Sequence, residues 1–339
     1  MSLDKSIFET LGRGERPAPD ALRSALTTIL KGEAPSEQIS ALLLGLEMIG
    51  LTSQELRVGT EVMRQNMIPV DLNFDVIDIV GTGGTGLHTL SISTATALVC
   101  AGAGIKVAKH GNRAASSLTG TADTFAKLGV NLGMSPATAK LCIEDAGIGF
   151  LFAPNHHPAM RHVGPARKAI GIRTLFNMLG PMSNPARASH MLLGVCDDSW
   201  RDPMANALAE LGTKRAWVVH GEDGLDEITI TGKTFVSDVQ NGRVKTFEIS
   251  PQDFGITPST LDALKGGEPE TNAKALQNLL DGEPGPYRDI VLLNAGAALM
   301  ISGQVENIGL GIVKATQSID SGFAKLALKR LCDLSGVSL

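Results

Sequence analysis

The chain has 339 residues, 43% hydrophobic and 19% charged, which is enough apolar material for a sizeable core and too much for disorder. Its net charge of −5 excludes bulk attraction to nucleic acid, and aromatics at 4% leave few rings on which bases could stack. Cys100, Cys142, Cys196 and Cys332 form no CxxC pair; they read as buried thiols in a reducing cytoplasm, neither a zinc site nor a disulfide scaffold.

Met1 to Lys5 carry no apolar signal core, and the longest apolar-leaning run, Thr94 to Val107, is short and glycine-broken, so a cytoplasmic chain without a membrane span is expected. Residues 1 to about 69 read as all-helical. Apolar residues recur at helical spacing over Ala21 to Leu30 and over Ser36 to Met48, where Gly50 can stop the second helix. Thr52 with Glu55 makes a capping box for a helix over Ser53 to Asn66, and Pro69 ends the region. Such short amphipathic helices need a partner surface, which a second copy of the chain could supply.

The pattern changes at Val76. Val76 to Val80 is a buried-strand run, a glycine loop follows, and a helix starts near Ser93. Further strands are expected at Ile105 to Ala108, Gly149 to Phe152, Arg215 to His220, Glu227 to Thr231, Val244 to Ile249 and Asp289 to Leu293. Helices are expected at Ala122 to Leu128, Pro136 to Ala146, Trp200 to Leu211, Asn272 to Leu280 and in one long C-terminal run from about Ile319. Alternating strands and helices predict an α/β fold with a mainly parallel central sheet. Arg161 to Asn184 breaks the alternation. It is expected to leave the sheet, cross to the helical part and return, forming a hinge. The expected division is a helical domain at 1–70, crossing segments at about 165–185, and an α/β domain at 74–160 and 188–339.

The loop Gly81-Thr82-Gly83-Gly84-Thr85-Gly86 lies between a strand and a helix, which gathers backbone N–H groups and a helix start around an anion. Alone it also fits a dinucleotide fingerprint, but the next strand ends in Lys109-His110 where an acidic residue would hold a ribose. Leu87-His88 stand where a P-loop needs Lys and Ser/Thr, which excludes that motif. Ser91 to Thr94 bring hydroxyls to the helix start. Lys109 to Ser117 add a lysine, an arginine, a glycine and two serines after the next strand, a composition suited to polyphosphate. Two such loops after consecutive strands meet at the carboxyl end of a parallel sheet, where open α/β folds bind ligands.

These stretches closely resemble the anthranilate phosphoribosyltransferase family: GTGG after a strand, then S-I-S-T, then K-H-G-N-R-x-x-S-S. Ala153 to Arg161, Gly171 to Asn177, Gly180-Pro181, Asn184-Pro185 and Gly224 to Glu227 agree as well. The resemblance implies a nucleoside-phosphorylase-like phosphoribosyltransferase fold and a homodimer joined through the helical domain. It implies phosphoribosyl pyrophosphate (PRPP) with Mg²⁺ and anthranilate as substrates. By the same resemblance PRPP would meet Gly81, Gly83, Gly84, Thr85, Thr89, Ser91, Ile92, Ser93 and Thr94. It would also meet Lys109, His110, Gly111, Asn112, Arg113, Ala114, Ala115, Ser116, Ser117 and Thr121. Anthranilate would meet Gly81, Asn112 and Arg167, with His110, His157 and Met178 lining its channel. Ser93, Asp226 and Glu227 would hold Mg²⁺. No acid–base residue is implied; Lys109, Asn112 and Arg167 act by positioning. The chain departs from the family in having Thr85 for Asp, Ser91 for Asn, and Leu118 for Lys or Arg. A pyrimidine nucleoside phosphorylase and a nucleic-acid-binding relative of the same fold are the competing readings.

Overall fold

The computed structural model describes residues 2–114 and 118–338. The chain begins with four helices, Lys5–Gly12, Pro19–Leu30, Ser36–Ile49 and Ser53–Gln65. Their ends follow local chemistry. The Asp4 carboxylate caps the first by accepting from the Ser6 N–H at 2.9 Å, Pro19 opens the second, Gly50 closes the third, and Thr52 with Glu55 caps the fourth. Their buried faces, among them Leu26, Leu43, Leu56 and Val62, join one apolar cluster with Phe176 and Leu179 of the crossing segment and with Met191, Leu193 and Val218 of the sheet.

Seven strands form one sheet in the order β3-β2-β1-β4-β5-β6-β7: β1 Ile77–Gly81, β2 Val107–Gly111, β3 Ile148–Phe152, β4 His190–Gly194, β5 Arg215–Gly221, β6 Thr234–Gln240 and β7 Arg243–Ile249. β3 through β5 are parallel, and β6 and β7 are antiparallel, joined by a two-residue turn at Asn241-Gly242 with both φ values positive. The first face of the sheet packs on helices Ile92–Gly102, Pro286–Ile301, Ile308–Asp320 and Phe323–Ser335. The strand order reverses between β1 and β4, which opens a crevice beyond their carboxyl ends.

The segment after β3 runs through helices Gly164–Ile170 and Leu175–Met182, both packed on the N-terminal helices, and returns to the sheet through Asn184 and Pro185.

Several expectations need correction. Glu227 to Thr231 is a loop: the Ile228 N–H bonds Asn294 Oδ1, the Thr229 N–H bonds Thr234 Oγ1 and the Thr231 N–H bonds Thr229 Oγ1, so side chains take the donors a strand ladder would use. Asp289 to Leu293 lies inside the helix Pro286–Ile301, whose residues from Ile290 onward are all buried and so show no amphipathic period. The C-terminal run is two helices, because Gly322 adopts a positive φ of 76° after Asp320. Strands β4 and β6 were not expected. The expected second strand lies further along, at Val107–Gly111, and the helix from Pro136 widens into a π turn at Cys142–Ala146.

Candidate active site

β1 and β4 end in register on two glycines, Gly81 opposite Gly194. A Cβ on Gly81 would overlap the Asp226 carboxylate, and one on Gly194 would overlap the Asp226 backbone. The bare backbone at these two positions lets the Gly224–Glu227 loop fold over the carboxyl ends of β1 and β4 into the crevice. There Asp226 Oδ2 accepts from the Gly83 N–H at 2.8 Å, which pins the glycine loop. Burial pushes the Asp226 carboxyl up. Glu227 is pushed up to about 8 by burial and by the neighbouring Asp226 charge, while Lys109 and the Ser93 N–H act the other way.

Lys109 stands on β2 next to β1 and is 1% exposed. Its Nζ donates to the Ile79 carbonyl at 2.5 Å and faces Ser93 Oγ at 3.4 Å. Burial lowers its pKa, and the charges of Asp78, Glu227 and Asp226 oppose that shift. Ser93 sits in the first turn of Ile92–Gly102, so a lysine, a hydroxyl, a helix start and two carboxylates share one end of the sheet.

Asp226, Glu227 and Ser93 fit a Mg²⁺ that takes its other oxygens from a substrate and water. Two adjacent, half-buried carboxylates whose protonation is favoured by their mutual repulsion gain from a cation. No cluster of three or more His, Cys, Asp or Glu residues suited to a metal occurs among the described residues, so the chain supplies a partial shell only.

The second loop is held by Asp123, which accepts from Arg113 Nη1 at 2.7 Å and from the N–H groups of Ala114 and Gly120. Asn112 Oδ1 accepts from the Arg113 N–H, and Thr121 opens the helix Thr121–Lys127 beside Gly111. Ala115, Ser116 and Ser117 lie outside the described residues. Ser91 Oγ is bound to Thr124 Oγ1 at 2.8 Å and accepts from Asn272, so it braces the helix start. The Thr85 hydroxyl accepts from the Leu87 N–H, and Thr89 bridges to Lys265. Ile92 and Thr94 are buried at 2% and 1% and can offer a ligand little besides backbone.

His110 and His157 stand with ring centroids 5.2 Å apart, each with a buried Nε2 that lacks a partner among the described residues. Burial holds His110 well below its ordinary pKa and His157 at about 4, so both are neutral at pH 7. His156 Nδ1 donates to the Ile68 carbonyl at 2.9 Å and ties the linker down. Arg167 is half-buried on Gly164–Ile170, with its pKa lowered by burial. Met178 is 1% exposed within the core that joins helices and sheet, so its side chain does not face an open channel.

The a/b domain model of the glycosyl transferase family matches residues 73–325, and the family's helical bundle domain model matches residues 5–67. An anthranilate phosphoribosyltransferase from Parvibaculum lavamentivorans is 51% identical over 327 residues, covering 96% of each chain. One from Azorhizobium caulinodans is 50% identical over 331 residues, covering 98% of this chain and 96% of that one. The chain belongs to the anthranilate phosphoribosyltransferase family. Among solved structures of the family, the protein from Thermus thermophilus is similar at a TM-score of 0.92 and 40% identity, covering 97% of this chain and 99% of that one. The protein from Saccharomyces cerevisiae, in complex with PRPP and Mg, is similar at 0.90 and 30%, covering 98% and 97%.

Three residues of this family member had no role in the sequence reading. Asp78, fully buried on β1, accepts from Asn184 Nδ2 at 2.7 Å on one oxygen and from the His110 N–H at 3.2 Å on the other. Burial raises its pKa to about 6, yet both oxygens face donors, so an asparagine here would set donor against donor. Asn184 Nδ2 also donates to the Ala108 carbonyl at 2.7 Å and so anchors the returning segment across β1 and β2. The third residue, Arg173, reaches from the crossing segment to the glycine loop. The Gly171 to Asn177 motif contained Arg173, but its contact 90 residues away carries no local signal.

Proposed function

We infer that the chain transfers the phosphoribosyl group of PRPP to the amino group of anthranilate and releases pyrophosphate, the tryptophan-pathway reaction named by its relatives. The observation that carries this reading is the meeting of the glycine loop, Lys109 and the Asp226–Glu227 pair at the switch point of the sheet. PRPP lies there with its pyrophosphate near Lys109 and the loop N–H groups. Anthranilate lies towards Arg167, whose half-buried guanidinium suits a carboxylate.

The chemistry asks for placement more than for proton transfer. The aromatic amine is neutral at pH 7 and attacks the anomeric carbon with its own lone pair. The C–N bond forms as the C–O bond to pyrophosphate breaks, and the amine proton leaves to solvent. Lys109 and the loop N–H groups meet the charge that grows on the leaving oxygen. Neutral His110 and His157 line the acceptor side without placing a cation beside the developing positive ribosyl carbon. Mg²⁺, held by Asp226, Glu227 and Ser93, would neutralise pyrophosphate charge when bound. Movement of the crossing segments would close the cleft and exclude water.

Loss of anthranilate fluorescence on mixing with PRPP and Mg²⁺ tests the reading. Turnover supports it, and no turnover by folded protein over a wide Mg²⁺ range would overturn it. The phosphorylase reading predicts phosphorolysis of thymidine or uridine instead, and the relatives compared above do not favour it.

Thr85 stands where the family usually has Asp, so the glycine loop lacks a carboxylate that would draw a cation. Thr85→Asp is expected to move the Mg²⁺ optimum to lower concentration, read by titrating Mg²⁺ at fixed PRPP. An unchanged titration refutes this role.

A homodimer through the helical domain is the proposed assembly. Leu44 and Met48 of Ser36–Ile49 are exposed at 45% and 79%, an apolar face that a second copy would cover. Light scattering on the parent should give twice the chain mass and on Met48→Glu a smaller value. A parent of single-chain mass would rule the assembly out. No helix among the described residues is long and apolar enough to cross a membrane.

A further inference from the structure

Helix Gly164–Ile170 ends on Gly171, whose φ of 70° turns the chain before the next helix. Arg167 precedes this turn and Arg173 follows it, so one short segment carries both guanidinium groups. Arg173 is half-buried. Its Nη2 donates to the carbonyls of Gly83 at 3.3 Å and Gly84 at 2.5 Å, and its Nη1 contacts Cys196 Sγ just beyond β4. The Cys196 N–H in turn donates to Thr82 Oγ1 at 3.2 Å. One planar fork thus joins the crossing segment, the glycine loop and the end of β4.

Each of these bonds ends on a neutral acceptor, so the group is not spent on a surface ion pair. Gly84 adopts a φ of 74°, which disfavours a side chain, and a Cβ there would also displace the guanidinium. With two loop carbonyls drawn towards Arg173, those peptides are fixed in orientation before a phosphate arrives. A lysine could not span the same acceptors, because it is a point charge without a fork. The Arg173 charge also acts on the Asp226 carboxyl, favouring its ionised form.

We propose that Arg173 is a positioning residue that couples the two substrate half-sites, gripping the PRPP loop from the segment that also presents Arg167 to anthranilate. The proposal rests on the substrate assignment above. Binding at either half-site then strengthens binding at the other by the same factor, because linkage is reciprocal.

The test is a matrix of initial rates over both substrates for the parent, Arg173→Lys and Arg173→Ala, with Arg173→Ala repeated in low-millimolar guanidinium chloride. For the parent, the PRPP KM should fall several-fold as anthranilate rises. In both variants that dependence should vanish and the PRPP KM should rise roughly tenfold or more, the scale of one lost charged hydrogen bond. The anthranilate KM at saturating PRPP should rise by the same several-fold factor while its value at low PRPP stays near the parental one, and guanidinium should restore part of the PRPP affinity to Arg173→Ala. Parental coupling and PRPP KM in both variants would overturn the proposal. So would a uniform loss in kcat and both KM values that guanidinium does not touch, which marks a merely structural role. A parent without any turnover overturns the substrate assignment and this proposal together, an outcome distinct from an active parent that lacks coupling.

Discussion

Asp226→Asn is expected to lower kcat/KM for PRPP by about 10²- to 10³-fold, the range seen when one preorganised electrostatic partner of a reaction is removed. The substitution keeps shape. An asparagine Oδ1 can still accept from the Gly83 N–H, so the glycine loop remains pinned at the carboxyl end of β1. What disappears is a negative charge at the switch point, next to Glu227 and facing Lys109. The loss should therefore be recovered in part by raising Mg²⁺, which separates a charge effect from a folding effect. PRPP titrations at several Mg²⁺ concentrations read both. Parental kinetics at low Mg²⁺ would show that Asp226 serves the loop's geometry alone.

Arg167→Ala is expected to raise the KM for anthranilate by about 10²-fold or more, because a bidentate guanidinium–carboxylate pair contains two charge-assisted hydrogen bonds. The PRPP KM at saturating anthranilate should change little. Arg167 sits on Gly164–Ile170, and its lowered pKa reflects burial alone. Initial rates with each substrate varied in turn distinguish the two half-sites. An anthranilate KM unmoved by the change would place the carboxylate elsewhere.

Much of the site was legible because its chemistry is local in sequence. The glycine run, the hydroxyls at the helix start and Lys109-His110 each sit within a few residues of a strand end, and the parallel sheet gathers those ends. The crossing segment was legible because its punctuation interrupts the βα alternation. What was missed depends on contacts far apart in sequence. Arg173 meets Gly84 across 89 residues, and Asn184 meets Asp78 across 106. Strand β4 is short and built of Met and Leu, residues that read as readily as helix. The helix Pro286–Ile301 is buried on every side, so the period that betrays a surface helix is absent. Ile228 and Ile230 are fully buried and β-prone, yet Asn294 and neighbouring hydroxyls claim the backbone around them.

The apolar cluster that binds the four N-terminal helices to the sheet also bears on synthesis. Those helices are complete at Gln65, but the cluster they belong to draws on Leu175 to Met182, then Met191 and Leu193, and later Ala216, Val218 and Val239. Val218 leaves the ribosome roughly 150 residues after Gln65, which at about 5–20 residues per second is on the order of ten to thirty seconds. For that interval the first-made fifth of the chain carries apolar faces whose partners do not yet exist. That surface stays open to solvent at the amino end of the nascent chain, and a slower passage through the codons for residues 66 to 218 would lengthen the exposure.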